Sequence, residues 1–154
     1  AGFISKAWFP HFANWRRDGY DFDSRWEDEL ASVRQKRIMD CFSEQDEWFS
    51  SELKRRAGFG KGGEKNFEGT VTDLQMGSYL LIRDFRQRVN KKGFPYGWPI
   101  SVYTTPEALW GYDHITSAYG ADPAESKAQV YEQVWEHFPE AAQEELDEVL
   151  GWSR

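Results

Sequence analysis

Two segments in the middle of the chain alternate between apolar and polar residues, which is the pattern of β-strands. The first runs from Tyr79 to Arg88 and the second from Trp98 to Tyr103. A turn is expected at 90–93, and Pro99 restricts the second strand to a sheet edge or a strand start. The sequence therefore predicts one β-hairpin with a long loop between its strands.

Three helices are predicted before this hairpin. Ser24 and Glu27 have the spacing of a capping box, so a helix should follow them. An extended link is expected at 47–50, and Ser51 can cap a short helix that ends before Gly58. After a flexible glycine turn, a third helix carries apolar residues at helical spacing. The expected ranges are 24–42, 52–57 and 63–76.

Further helical patterns flank this region. Aromatic residues at helical spacing predict a short N-terminal helix at 10–17. Proline at a first helical position marks later helix starts, and the expected ranges are 105–119, 122–138 and 139–150. The fold class is therefore mainly α with a small β-hairpin. We predict a winged helix-turn-helix core at 24–104, an aromatic-rich helical segment at 1–23 and acidic C-terminal helices at 105–154 packed on the core.

The charge is divided unevenly along the chain, whose overall net charge is −7. Residues 1–49 carry a net charge of −3, residues 50–92 carry +5 and residues 93–154 carry −9. A basic segment that coincides with the helix-turn-helix and the hairpin favours contact with phosphates. DNA is therefore the expected partner, bound mainly through its backbone.

The expected DNA contacts lie on the short helix, the glycine turn, the start of the third helix and the hairpin. Backbone N–H groups at the start of that third helix would add a site for one phosphate. The same helix carries Glu64, Glu68 and Asp73, which repel phosphates and make it a poor reader of bases. The candidate binding residues are Lys54, Arg55, Lys61, Lys65, Asn66, Arg83, Arg86, Arg88, Lys91 and Lys92.

Two segments resemble a winged-helix unit of the bacterial DNA glycosylases that unhook interstrand crosslinks. They are Phe49–Gly58 and Leu80–Phe85, the latter followed by Val102-Tyr103 and Thr105-Pro106-Glu107. The whole chain resembles a bacterial group named as related to those glycosylases, through the runs Lys61–Gly69 and Pro106–His114. The resemblance implies tandem winged helices and a distant DNA-related ancestry.

The resemblance does not extend to catalysis. The glycosylase motif is a Gln followed two positions later by Asp or Gln, and the runs that begin at Gln35, Gln75, Gln87 and Gln129 lack that second residue. Gln143-Glu144-Glu145 comes nearest, on an acidic helix. We expect no catalytic residue in this chain. Two alternatives remain open, a winged-helix module for protein interaction or dimerisation, and a remote glycosylase-like repair protein.

Other motifs indicate neither a cofactor nor a metal. Gly58–Gly63 matches a dinucleotide-binding pattern, but a helix rather than a strand precedes it, so a turn is the preferred interpretation. The three His and single Cys have no metal-binding spacing. No apolar run could span a membrane, and a single Cys fits a cytoplasmic location.

The acidic C-terminal helices could dock another domain or a second copy of the chain. The apolar contacts would come from Val130, Val134, Leu146, Val149 and Trp152.

Overall fold

The structure is a computed structural model that describes residues 2–151. Within that range the chain is mainly helical, with one small antiparallel sheet. In chain order the elements are α1 (Phe9–Arg17), α2 (Phe22–Glu27), α3 (Val33–Cys41), β1 (Glu47–Phe49), α4 (Ser50–Arg56), α5 (Phe67–Met76), β2 (Leu81–Val89), β3 (Pro95–Thr104), α6 (Pro106–Trp110), α7 (Tyr112–Ile115), α8 (Pro123–His137) and α9 (Gln143–Leu150).

The sheet has the strand order β1-β3-β2, with both neighbours antiparallel. The predicted hairpin is confirmed as the β2–β3 pair. The expected extended link is instead a third strand, because Trp48 lies opposite Tyr103 in a ladder between β1 and β3. The predicted long loop is wrong. β3 begins at Pro95, and a short turn at 90–94 joins it to β2.

One apolar core lies between α3, α4, α5 and the sheet. Ile38, Leu53 and Leu80 have no exposed surface, and Leu74 is almost fully buried. Burying such a side chain stabilises a fold by about 1.5–3 kcal/mol. The Trp48 indole adds a hydrogen bond of 3.0 Å to the carbonyl of Cys41, which ties β1 to the end of α3. This core fixes α4 and α5 against the base of the hairpin.

A second apolar cluster joins α1 to the other side of the base of the sheet. Phe9 and Ala13 of α1 pack with Ile115, and Leu81 at the start of β2 contacts the same cluster. α1 also packs along α8, where Asn14 donates a hydrogen bond of 2.9 Å to the hydroxyl of Ser126. The C-terminal helices are therefore attached to the fold through α1.

The single helix predicted at 24–42 is wrong, because the structure has two helices there. α2 ends before Glu29, which adopts a left-handed conformation with φ 59°. A new helix begins after Ser32, whose hydroxyl and backbone form a capping box with Gln35. Because α2 begins at Phe22, Ser24 lies inside the helix and does not form the expected capping box with Glu27. The capping box lies eight residues later, at Ser32 and Gln35.

Three other helix starts also differ from the prediction. α5 begins at Phe67 rather than Gly63, because Asn66 is left-handed with φ 64°. The helix predicted at 105–119 is divided by Gly111, whose φ is 88°. The last helix begins at Gln143 rather than near Pro139, while the helix predicted at 122–138 is confirmed as α8. None of the helices in the described range has both the length and the apolar composition that crossing a bilayer requires.

Candidate nucleic-acid interface

Two of the candidate arginines on the hairpin are held by acidic side chains. The Arg83 Nε lies 2.8 Å from one carboxylate oxygen of Glu47, and an Arg86 terminal nitrogen lies 2.7 Å from the other. Arg86 also pairs with Asp84 at 2.9 Å. The hydrogen bond to Glu47, followed by that to Asp84, raises the pKa of Arg86, while the bond from Arg86 lowers that of Asp84. These arginines are therefore largely neutralised.

Arg88 connects the hairpin to the first turn of α4. One of its terminal nitrogens donates a hydrogen bond to the hydroxyl of Ser51. Its Nε is buried and has no hydrogen-bond partner within the described residues. No carboxylate among those residues pairs with Arg88, so its charge remains available where the hairpin approaches α4.

Lys54 connects α4 to the first turn of α5. Its Nζ lies 2.8 Å from a carboxylate oxygen of Glu68 and 5.6 Å from the ring centre of Phe67. The hydrogen bond from Lys54 lowers the pKa of Glu68. Lys54 and Ser51 are three residues apart and so share one face of α4. That face lies between the hairpin on one side and the start of α5 on the other.

The glycine turn after α4 presents two exposed lysines, Lys61 and Lys65. A Cβ on Gly63 would lie only 2.2 Å from the carbonyl oxygen of Gly58, so the turn closes on itself more tightly than any side chain allows. The N–H groups of Gly63 and Glu64 donate to the carbonyls of Gly60 and Gly58. The expectation that N–H groups at Gly63 open a helix and bind a phosphate is therefore wrong.

Asn66 lies at the N-cap of α5 with an exposed side chain, although its amide makes no capping hydrogen bond. The remaining exposed surface of α5 is acidic, since Glu68 and Asp73 both face solvent. The side chain of Thr72 is also exposed, and its hydroxyl donates to the carbonyl of Glu68 at 2.9 Å. Glu64 is bound to Arg34 at 3.1 Å. This surface has few groups that could read bases.

Lys91 and Lys92 form the tip of the hairpin and are fully solvent-facing. The side-chain oxygen of Asn90 accepts the N–H groups of Lys92 and Phe94 at 2.9 and 3.1 Å, which closes the turn. Within residues 2–151 no carboxylate pairs with either lysine or with four further candidates. The candidate cations without an ion-pair partner among the described residues are thus Arg55, Lys61, Lys65, Arg88, Lys91 and Lys92.

Exposed aromatic side chains on the hairpin were missed by the sequence prediction. Phe85, Phe94 and Tyr96 are each at least half exposed, and Trp98 is 89% exposed. The prediction placed Phe94 and Tyr96 in the loop and Phe85 and Trp98 in the strands, and it singled out none of the four as exposed. The available signal was the density of aromatic residues beside Lys91 and Lys92, which is unusual for a solvated turn.

An acidic cavity of about 330 Å³ lies at the other end of the sheet. Arg17, which is 1% exposed, donates to Glu107 at 2.6 Å and to the hydroxyl of Tyr119 at 3.2 Å. Burial disfavours its charge, but the contacts with Glu107 and Tyr119 outweigh burial and raise its pKa. Four carboxylates line the cavity: Asp21, Asp23, Asp40 and Glu107.

This cavity is separate from the basic surface. It is lined by Thr105, which directly follows β3, whereas the hairpin tip precedes that strand. A strand of ten residues rises about 30 Å or more between these ends. Its carboxylates would repel a phosphate, and no group of three or more acidic, His or Cys side chains in the described range could hold a metal ion. The cavity therefore does not extend the candidate interface.

The apolar residues expected to dock a partner on the C-terminal helices are partly used inside the chain. Val130 and Leu146 are buried, whereas Val149 is 74% exposed. Val134 is half-buried, and Trp152 lies outside the described residues. The Tyr131 hydroxyl donates to Asp147 at 2.6 Å, which holds α9 on α8. Much of the apolar surface of these helices is therefore already covered by α1 and by each other.

A comparison with protein-family models finds one described as AlkZ-related, which matches residues 1–151. No curated protein and no solved structure matches this chain. The matched range includes both apolar cores, the sheet and all the candidate cations.

Proposed function

The chain belongs to the AlkZ-related family, and from that premise we propose that it is a winged-helix protein that binds DNA mainly through backbone phosphates. The winged-helix assignment is supported by the element order α3-β1-α4-α5-β2-β3 and by the sheet order β1-β3-β2. In this assignment α4 and α5 are the helix-turn-helix and the β2–β3 hairpin is the wing. A wing can contact the DNA backbone beside the helix that faces the groove.

The observation that carries the proposal is the set of six candidate cations that have no ion-pair partner within residues 2–151. Lys91 and Lys92 lie at the wing tip and Lys61 and Lys65 lie on the glycine turn, with Arg88 between wing and α4. Phosphate contacts supply most of the affinity of proteins that bind DNA without sequence preference. Cations on three separate elements can therefore contact several phosphates of a DNA backbone, which cations on a single helix could not.

Backbone contact is favoured over base reading because of the charge of α5. A recognition helix specifies bases with Arg, Lys, Asn or Gln side chains in the major groove. α5 instead exposes Glu68 and Asp73 and keeps Thr72 bonded to its own backbone. The protein should therefore bind many DNA sequences with similar affinity.

Fluorescence anisotropy with a duplex at several salt concentrations tests this function. We expect affinity to fall steeply with salt, and the double variant Lys91→Ala/Lys92→Ala to reduce the slope by about 0.9 for each lost contact. A double variant with the same loss of charge, Lys6→Ala/Lys127→Ala, is the control, because these lysines lie near α1 and on α8. Absence of binding at low salt would refute the proposal.

We propose further that the chain contributes binding and does not remove bases. At Gln35, Gln75, Gln87 and Gln129, the residue two positions later is neither the Asp nor the Gln that the glycosylase motif requires. The acidic cavity also repels the phosphates that a flipped nucleotide carries. Incubation with alkylated duplex DNA, followed by measurement of released bases, is the test. Release above the rate without protein, lost on Asp23→Asn, would assign catalysis to that cavity.

Self-association is the second candidate function, and the charge division favours it. The wing of one copy is basic, while α8 and α9 of another are acidic, so the two surfaces are complementary. Measurement of the mass in solution at low and high salt tests this candidate. A mass equal to one chain at high protein concentration and low salt excludes it.

A further inference from the structure

The wing carries a tryptophan in a position that the fold holds away from the protein. β3 has three residues between Tyr96 and Ile100, where β2 has only one between their partners Arg88 and Arg86. This bulge contains Trp98, which is 89% exposed. A β-bulge re-aims a side chain relative to the regular ladder. The exposed position of Trp98 therefore results from the irregular pairing of β2 with β3.

The bulge is fixed by specific contacts. Gly97 has φ 71°, a conformation that favours glycine. The side-chain amide of Gln87 donates a hydrogen bond of 2.7 Å to the carbonyl of Gly97. Burying Trp98 would be worth several kcal/mol in an apolar environment, yet no part of the described chain covers it. The indole is thus accessible to a ligand or partner outside the residues described.

Aromatic rings and cations lie close together along the same wing. Between Leu81 and Thr104 the chain carries five Lys or Arg and one acidic residue, Asp84. Lys91 and Lys92 lie between the exposed side chains of Val89 and Phe94. The centres of protein–protein interfaces are poor in lysine. Aromatic rings interspersed with cations are instead the combination with which proteins bind single-stranded nucleic acid, stacking on the bases while cations follow the phosphates.

We propose that the wing binds unpaired nucleotides, with Trp98 and Tyr96 stacking on their bases and Lys91 and Lys92 contacting their phosphates. In an intact duplex the base faces are stacked on one another and offer no surface to these rings. The preferred ligand is therefore DNA in which a few unpaired nucleotides adjoin a duplex. The inference rests on the proposed DNA binding, because the other cations would hold the paired part.

The test compares three labelled DNAs of equal length, namely a single strand, a full duplex and a duplex that contains a gap of about four nucleotides. We expect the protein to bind the gapped DNA more tightly than the full duplex. The variant Tyr96→Ser/Trp98→Ser should weaken binding to the gapped DNA by about fivefold or more and remove the preference. The salt slope should stay unchanged, since no phosphate contact is lost.

The control variant is Phe138→Ser, which removes an aromatic ring that is 66% exposed and lies just after α8. It should bind all three DNAs like the unchanged protein. Because Trp98 and Tyr96 are exposed, their replacement should leave the far-ultraviolet circular dichroism and the melting temperature unaltered, and this is measured first.

Three results would overturn the stacking proposal while leaving phosphate binding intact. The unchanged protein could bind full duplex as tightly as gapped DNA. The double variant could bind gapped DNA as well as the control does. The double variant could also lose affinity equally for gapped and full duplex, which would mean that the wing inserts into paired DNA.

Absence of binding to every DNA would refute the proposed function itself. A change of mass in solution caused by the double variant would then assign the wing to a protein contact.

Discussion

Replacing Glu47 with glutamine should tighten DNA binding, although Glu47 is not itself a candidate contact. Its carboxylate holds Arg83 at 2.8 Å and Arg86 at 2.7 Å. Glutamine keeps the size of the side chain and removes the charge that neutralises these guanidinium groups. Arg86 retains Asp84 as a partner at 2.9 Å, so Arg83 is the cation that is fully released.

The size of the effect follows from one added phosphate contact. Each such contact makes the dependence of log K on log salt steeper by about 0.9, which at about 0.1 M salt corresponds to roughly an eightfold gain in affinity. The fold should tolerate the change, since half-exposed ion pairs contribute only about 0–1 kcal/mol to stability. We therefore expect tighter binding with little change in melting temperature.

The assay is anisotropy with one duplex at four or more salt concentrations, repeated with the control Glu132→Gln. Glu132 is exposed on α8, so its replacement removes the same charge without releasing an arginine of the wing. If the two variants gain affinity equally, the effect is one of net charge alone. If Glu47→Gln leaves the salt slope unchanged, Arg83 does not reach a phosphate and the reasoning that Glu47 masks a DNA contact is wrong.

Two further predictions concern stability. Arg17→Met should lower the free energy of unfolding by about 3 kcal/mol, because the carbonyl of Ser78 loses its hydrogen-bond donors and Glu107 loses its ion-pair partner. Urea unfolding measures this free energy, and a loss below about 1 kcal/mol would contradict the prediction. Asp147 accepts a hydrogen bond from Tyr131 that lowers its pKa, so the stability it contributes is present above the ordinary value of 3.8 and is lost as pH falls through the lowered folded value. The protection factors of α9 amides, which are exchange rates corrected for the intrinsic effect of pH, should therefore fall below about pH 4, and Asp147→Asn should remove most of that fall.

Local patterns predicted the elements whose signals lie within a few residues. The hairpin was found because alternation has a period of two in any strand, and α8 was found because Asp122 and Pro123 mark its start. β1 was missed because it has only three residues, and its pairing with β3 depends on residues more than fifty positions away. Short strands of this kind are set by the sheet that they join.

The helix break near Ser32 shows a different limit of prediction. Ser24-Glu27 and Ser32-Gln35 have equivalent capping-box spacing, so the sequence offers two starts. The break lies at Glu29, which is exposed and left-handed with φ 59°. The N–H groups of Glu29 and Leu30 donate to the carbonyls of Trp26 and Arg25, which closes the end of α2. A left-handed Glu is uncommon, so the local pattern did not predict it.

For the candidate site, the sequence singled out basic residues but could not show that Glu47 and Glu68 pair with three of them. Ion pairs between separate elements become visible only when the fold brings those elements together.

The attachment of α8 to α1 fixes the position of the acidic helices relative to the basic wing. α1 is anchored at Leu81, and β2 rises about 27 Å from there to Val89 before the two lysines of the tip. Negative charge on α8 and α9 and positive charge on the wing thus form a permanent electric dipole along the protein. In the field of a polyanion such a dipole experiences a torque, so a molecule that approaches acidic end first is turned or repelled before contact. The acidic helices would then help by rejecting wrong orientations, and this selection should weaken as salt rises, because salt screens the repulsion of the acidic end as well as the attraction of the wing.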